Sequence, residues 1–293
     1  MRFRIIHQTE YRYRQPASES VGELRICPQS DASQQVIERK LEMVPRIELE
    51  PYSDAFGNYV EFFSIPFRHN LLKVTASALI ETRVIAHPLA PLEVPFAKAQ
   101  GYFNAKLVEL YPFSTGSSLV PLGDLIKPLM QSTPDPEQTL AEHCLQLNHW
   151  IFRSFTYTPG VTDVNTPVAT IIAQRAGVCQ DFAHLMLSIL RTQGIPSRYV
   201  SGYIEATDPT KPEQQLIGAA ASHAWVEVAA PDGSWIGFDP TNNQVVGERH
   251  VKIAVGRDYA DITPVRGTYK GAQDQKLRVL VSLTRRRAFP KTP

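Results

Sequence analysis

Cys179, His223 and Asp239 are the residues of this sequence best placed for nucleophilic catalysis. Cys179 lies in Gly177-Val178-Cys179-Gln180-Asp181, directly ahead of a long apolar run. A cysteine in the first turn of a helix meets amides that have no intrahelical acceptor, and it meets the positive end of the helix dipole. Both favour the thiolate, which is the nucleophilic form. The same amides can hold the oxyanion of a tetrahedral intermediate. Gly177 allows a tight turn there and leaves room above the thiol.

The partners of the thiol are expected on a hairpin. In Ser222-His223-Ala224-Trp225-Val226-Glu227-Val228, alternation puts His223, Trp225 and Glu227 on one strand face. In Trp235-Ile236-Gly237-Phe238-Asp239, it groups Trp235, Gly237 and Asp239. Pro231-Asp232-Gly233 between them is turn chemistry. A loop over 231–233 pairs Ala230 with Ser234, hence Trp225 with Asp239 and His223 with Thr241. His223 and Asp239 then become diagonal neighbours on one face, about 7–8 Å apart at the α-carbons. A loop one residue longer or shorter would separate them. The histidine would take the thiol proton, and the carboxylate would fix its tautomer and orientation.

The elements that must position these groups can be read from pattern. Phe3–His7, Tyr11–Tyr13 and Lys73–Ile80 have strand character, and Asp54-Ala55-Phe56-Gly57-Asn58 reads as a hairpin turn. Residues 1–86 are therefore expected to form an N-terminal β domain, an antiparallel sandwich or small barrel. Residues 87–136, with Pro88, Pro91, Pro95, Pro112, Pro121, Pro128, Pro134 and Pro136, read as a docked connecting segment with short helices. A core over 137–246 opens with a helix whose apolar face is Leu140, Cys144, Leu147, Ile151 and Phe155, which makes Cys144 a buried core thiol. Thr166-Pro167 should cap and start a second helix ending near Gly177. A third should run from Cys179 to about Gln193, stopped by Gly194 and Pro196. Its residues are apolar on nearly every side, so it should be buried. Strands are expected over 198–204, 223–229 and 235–239. A C-terminal β extension over 247–293, with strands at 251–255 and 277–283, should pack on the core or on the N-terminal domain. The fold class is α+β.

Longer stretches around these residues are specific. Arg175-Ala176-Gly177-Val178-Cys179-Gln180-Asp181-Phe182-Ala183-His184, Gly194-Ile195-Pro196-Ser197-Arg198-Tyr199-Val200-Ser201-Gly202-Tyr203, His223-Ala224-Trp225-Val226-Glu227 and Gly237-Phe238-Asp239-Pro240-Thr241 together resemble the bacterial transglutaminase-like family. Its members are also described as cysteine proteases, and it belongs to the papain-like superfamily. The Asp54–Asn58 segment resembles the β domain that precedes this core, and Gly256-Arg257-Asp258-Tyr259-Ala260-Asp261 resembles a family signature beyond it. The resemblance implies a papain-like transglutaminase core, a buried cysteine helix on an antiparallel sheet. It implies that the family's Cys, His and Asp fall on Cys179, His223 and Asp239. It does not select a reaction, since such proteins include acyl transferases, amidases, proteases and inactive scaffolds.

The expected activity is thiol acyl chemistry on a peptide or amide substrate through an acyl-enzyme. Release to water makes a peptidase or amidase and release to an amine makes a transglutaminase, with hydrolysis slightly favoured. The alternative from another class is a non-catalytic peptide-binding module that keeps the fold. Tyr157, Gln180 and Trp225 are candidates for the oxyanion site or cleft, although Tyr157 reads first as a core aromatic after the Leu140 helix. Arg257, Asp258 and Asp261 either line the cleft or tie down a loop.

Other classes find little support. The eight histidines include no i, i+4 pair of the helical zinc type, and neither a CxxC nor a Gly-rich phosphate loop occurs, so no metal or cofactor is expected. The 30 Lys plus Arg balance 29 Asp plus Glu, which gives no reason to expect nucleic acid or acidic lipid. Arg285-Arg286-Arg287 reads as a solvated tail. No run approaches the roughly 20 apolar residues of a membrane span, and the first residues lack a signal-peptide core. Three scattered cysteines suit a reducing cytoplasm.

Overall fold

A computed structural model describes residues 1–129, 135–207, 215–217, 222–271 and 274–286. Pro134 and Arg287 lie outside the described residues. The chain begins with six strands, β1 (Arg2–Ala17), β2 (Glu19–Leu24), β3 (Gln34–Val44), β4 (Glu50–Ser53), β5 (Tyr59–Ile65) and β6 (His69–Thr82). Helices α1 (Phe96–Ala105), α2 (Leu107–Leu110) and α3 (Leu140–Ser154) follow, the first two within the proline-rich segment. The short strands β7 (Thr156–Tyr157) and β8 (Ala176–Gly177) bracket α4 (Val168–Gln174) and pair in parallel. Helix α5 (Cys179–Thr192) leads into β9 (Ser197–Ile204), β10 (His223–Ala229), β11 (Trp235–Asp239), β12 (Gln244–Val245) and β13 (His250–Gly256). Strands β14 (Val265–Lys270) and β15 (Gln275–Arg286) complete the described chain.

Two four-stranded sheets, ordered β15-β1-β6-β3 and β14-β2-β5-β4, face each other across an apolar cluster that includes Tyr13, Leu24, Phe63, Ile65, Leu72 and Val74. Long strands alternate buried and exposed residues, the signature of a sheet covered on one face. The last two strands add to the edges of these N-terminal sheets, whereas β13 joins the core sheet, ordered β12-β11-β10-β9-β13.

The Asp54–Asn58 turn also docks the sandwich on the core. Asp54 accepts hydrogen bonds from the amides of Phe56 and Asn58 and from Asn58 Nδ2. So held, Asn58 donates to the carbonyl of Val255 and accepts from its amide, both at 2.7 Å. Gln34 does the same to Lys252, at 2.7 and 2.9 Å. Two side-chain amides thereby satisfy backbone groups of β13 that would otherwise be orphaned.

Helix α3 keeps the expected stripe: Leu140, Cys144, Leu147, Ile151 and Phe155 are all buried. Its start is a capping box between Thr139 and Glu142. Helix α4 differs from expectation. Pro167 itself is the N-cap, and Thr166 Oγ1 instead accepts from the amide of Asp163 at 2.9 Å, closing a turn before the helix. The helix ends at Gln174 because Arg175 turns left-handed, and Gly177 belongs to β8. Helix α5 is buried along almost its whole length, packed against Ala224, Val226 and Val228 of β10. No helix among the described residues is long and apolar enough to cross a membrane.

Candidate active site

Helix α5 begins at Cys179 because the chain before it is tied back by Asp181. The Asp181 carboxylate accepts from the Val178 amide at 2.8 Å and from Thr162 Oγ1 at 2.7 Å. Burial raises the Asp181 pKa, against the opposing effect of those two hydrogen bonds. A Cβ at Gly177 would stand 2.7 Å from Asp181 Oδ2. Glycine at 177 therefore makes room for this carboxylate, a different reason from the space above the thiol that the sequence suggested. Phe182 N donates to Val178 O, and the amides ahead of it have no acceptor inside the helix. Cys179 is 9% exposed at this open end.

The hairpin has the expected register: Val226 faces Phe238 and Ala229 faces Trp235, with Ala230 N donating to Ser234 O. His223 Nε2 is 2.8 Å from Asp239 Oδ2, with both side chains fully buried. His223 Nδ1 is buried and makes no hydrogen bond of standard geometry among the described residues. Since Nε2 is taken by Asp239, Nδ1 is the atom left for the thiol. Burial opposes a charge on His223, but Asp239 outweighs it and the neighbouring Cys179 adds to the effect. The pKa is pushed up to about 10.

Asp239 is held from several sides. Oδ1 accepts from the amides of Thr241 at 3.0 Å and Asn242 at 3.3 Å. Oδ2 accepts from Asn242 Nδ2 at 2.7 Å and lies 3.3 Å from His250 Nε2. Gly247 N donates to His250 Nδ1, so the His250 proton sits on Nε2 and points at the carboxylate. Burial alone would raise the Asp239 pKa, but His223 and His250 hold it far below the ordinary carboxylate range. Burial also lowers the pKa of His250, which favours its neutral form despite Asp239. The ligand atoms of His223, Asp239 and His250 lie within 4.8 Å of one another, a convergence that could suit a metal ion. Here the Nε2 atoms of both imidazoles stand at hydrogen-bonding distance from Asp239 Oδ2.

The remaining candidates separate. Tyr157 is half-buried against the core, edge-on to Phe182 with 6.5 Å between ring centroids, and its pKa is raised by burial and by Cys179. The Gln180 side chain donates to Val164 O at 3.1 Å and is committed there, whereas its backbone amide lies in the first turn, where amides have no acceptor inside the helix. Trp225 is buried beyond His223, with 6.2 Å between ring centroids, and it packs with Val200 and Val255. Gly202 leaves its space, for a Cβ there would lie 2.4 Å from the indole. The structure does not bring Arg257, Asp258 and Asp261 to the thiol. Arg257 pairs with Asp261 at 2.8 Å, and Asp258 Oδ1 caps the Ala260 amide. Their loop is fastened to the middle and far end of α5 by His184, which accepts from Tyr259 N, and by Arg191, which donates to Arg257 O.

Sequence reasoning missed His250, Asn242, Thr162 and the capping role of Asp181. Asn242 stood two residues past the quoted Asp239-Pro240 pair, where Asx turns are common. His250 carried no signal, because its approach to Asp239 depends on where β13 begins.

A model of the transglutaminase-like superfamily matches residues 127–240, and one of the bacterial transglutaminase-like N-terminal region matches residues 3–81. The uncharacterized protein ML0607 of Mycobacterium leprae is 32% identical over 287 residues, 97% of this chain and 99% of that protein. A protein-glutamine gamma-glutamyltransferase of Pseudomonas aeruginosa is 32% identical over 121 residues, 41% of this chain but 18% of that protein. Among solved structures, "a Putative Cysteine Protease from Cytophaga hutchinsonii" superposes with a TM-score of 0.73 at 26% identity, covering 99% of this chain and 93% of that one.

Proposed function

We propose that this chain, which belongs to the transglutaminase-like superfamily, performs thiol acyl chemistry on peptide or amide substrates with Cys179 as nucleophile, His223 as base and then acid, and Asp239 as the orienting carboxylate. The observation that carries this reading is the His223 ring itself. One nitrogen is fixed by Asp239 at 2.8 Å, and the other is buried and uncommitted beside a thiol at a helix start. Most buried polar groups are hydrogen-bonded, so a buried ring nitrogen left open beside a thiol is a group available to that thiol.

In this reading the thiol proton passes to His223 Nδ1, and the imidazolium is stabilised by Asp239 at Nε2. The thiolate forms a bond to the substrate carbonyl carbon. The resulting oxyanion is met by first-turn amides of α5, with Tyr157 as a hydroxyl donor. The carbon–nitrogen bond then breaks, and the leaving amine takes the proton from His223. A thioester on Cys179 remains. Water activated by His223 hydrolyses it to an acid, or a second amine converts it to a new amide. Hydrolysis is slightly favoured, since water is always at hand. Three cysteines scattered through the sequence suit a reducing compartment such as the cytoplasm.

The test is competitive alkylation. Iodoacetamide at neutral pH, followed by peptide mapping, should modify Cys179 well before Cys27 or Cys144. Burial raises the pKa of both of those thiols, that of Cys27 to about 12. Equal labelling would remove the nucleophile and leave a peptide-binding module. Ammonia release from glutamine donors, measured with and without an added amine, then separates hydrolysis from transamidation.

A further inference from the structure

A cavity of about 610 Å³ lies on the face of the core sheet that carries Trp225 and Glu227, alternate to the residues that pack with α5. That volume suits a drug-sized molecule, for which roughly 300–1,000 Å³ is usual. Neither Cys179 nor His223 lines it. Trp235 supplies aromatic surface, Trp225 lies in the lining at 1% exposure, and Val84 and Ile85 form part of a wall in which they remain 74% and 52% exposed. Large side chains this exposed beside a concave surface mark a place where a ligand gains by covering them.

The cavity also carries a connected charged strip. Arg198 Nε and Nη2 both bind Glu227 Oε2, at 2.7 and 2.6 Å, while Lys252 Nζ divides itself between Glu227 Oε1 and Asp31, each at 2.8 Å. Both carboxylates are thus already served by cations. Arg198 is not: its Nη1 has no acceptor among the described residues, and its guanidinium lies over the Trp235 ring at 4.2 Å from the centroid. Asp232, Glu248 and Arg83 also line the cavity, but within the strip the open group is the Arg198 donor beside an aromatic face, and that group calls for an acceptor carried on an apolar body.

We propose that this cavity binds a small apolar or aromatic carboxylate, its carboxylate on Arg198 and its body against Trp235, Val84 and Ile85. His250 makes the site more than a passive pocket. It lines the cavity, its ring stands 5.3 Å from that of Trp225, and its Nε2 proton points at Asp239. A ligand that displaces the His250 ring from its place in the lining changes the hydrogen bonding of the carboxylate that orients His223. This coupling, unlike the binding itself, rests on the triad read above.

Calorimetric titration of Cys179→Ala with 2-naphthoate reports binding without any thiol chemistry. Saturable one-to-one binding is expected, with 2-naphthylmethylammonium at least about tenfold weaker because it faces Arg198. In Ile85→Glu, an exposed wall substitution that leaves the core untouched, naphthoate should weaken by about tenfold or more through like-charge repulsion. In the chain with Cys179 intact, saturating naphthoate should shift the Cys179 alkylation rate by about twofold or more, and Ile85→Glu should cancel the shift. Absence of saturable binding, equal affinity for the ammonium, or indifference to Ile85→Glu would overturn the site. Binding that leaves the alkylation rate unchanged would overturn the coupling. Failure of Cys179 to alkylate at all would instead count against the triad and leave the calorimetry standing.

Discussion

The two ends of helix α5 are both crowded with polar side chains, yet they spend them differently. Toward the C-terminal end the polar groups tie neighbouring segments to the helix. His184 accepts from Tyr259 N, Ser188 donates to His184 O, and Arg191 donates to the carbonyls of Ser197, Thr115 and Arg257. Burial lowers the His184 pKa to about 3, so that ring stays neutral. At the N-terminal end the accounts are open. The first-turn amides have no intrahelical acceptor, and His223 Nδ1 is buried without a standard hydrogen bond. Both regions are buried and histidine-bearing, so neither burial nor residue type separates machinery from scaffold. What sets the N-terminal end apart is that its open groups, the first-turn amides and His223 Nδ1, come together beside a thiol.

The largest effect should come from Cys179→Ala, which removes the open end's nucleophile. Turnover should fall below detection while the melting temperature stays within about two degrees, since a small side chain at a helix start contributes little packing. Retained turnover would mean that the uncommitted groups serve binding alone.

Asp239→Asn comes next. It preserves shape but removes the charge that fixes the His223 tautomer, and kcat should fall by about 10² or more with KM nearly unchanged. Stability carries its own signature. A raised His223 pKa contributes stability that is fully present below its ordinary value of 6.5 and is lost as pH rises through about 10. Asp239 must be ionised for this, and its depressed pKa contributes stability that is present above its ordinary 3.8 and lost on acidification below that. The melting-temperature gap between wild type and Asp239→Asn should therefore narrow from pH 6.5 to pH 10. A gap that stays constant would make Asp239 a turn former and leave a Cys–His dyad.

His250→Phe should act more gently, because Asp239 keeps its bonds from Thr241, Asn242 and His223. A loss in kcat of about tenfold or less is expected, as for a single hydrogen bond behind the reacting groups. His250→Gln, which can still donate to the carboxylate, should recover most of it. Equal losses in both variants would assign His250 to packing against Trp225.

Much of this arrangement was legible because it depends on short-range rules. Loop length and strand parity placed His223 beside Asp239, and apolar periodicity placed Cys144 inside α3. The resemblance of Cys179, His223 and Asp239 to a family pattern supplied the order of the three. What could not be read depends on distant chain segments meeting. His250 reaches Asp239 only after β13 crosses to the far side of β9. Gln34 and Asn58 find β13 from more than 190 residues away. Trp225 shares parity with His223, yet its ring size takes it past the triad to the space over Gly202. Asp181 was quoted as part of a motif, but its carboxylate explains Gly177 only once the turn is seen in three dimensions.

The smallest effect on the reactive end should come from its opposite, Arg191, and that makes it the sharpest test of the comparison. Arg191 is 3% exposed, and burial pulls its pKa down to about 10 in spite of Asp258. Methionine keeps the length and the packing of the stem but donates nothing to the carbonyls of Ser197, Thr115 and Arg257. Losing such donors costs on the order of 1–3 kcal/mol for a buried acceptor. Part of this is returned because a charge no longer has to be desolvated. A net loss of about 2–3 kcal/mol in urea unfolding is therefore expected of Arg191→Met. The alkylation rate of Cys179 should stay within about twofold of wild type at every pH, because the two residues are separated by about 18 Å of helix, roughly twice the screening length at physiological salt. An alkylation profile that moves with Arg191 would show that the committed end sets the charge state of the open one. The division of α5 into scaffold and machinery would then fail.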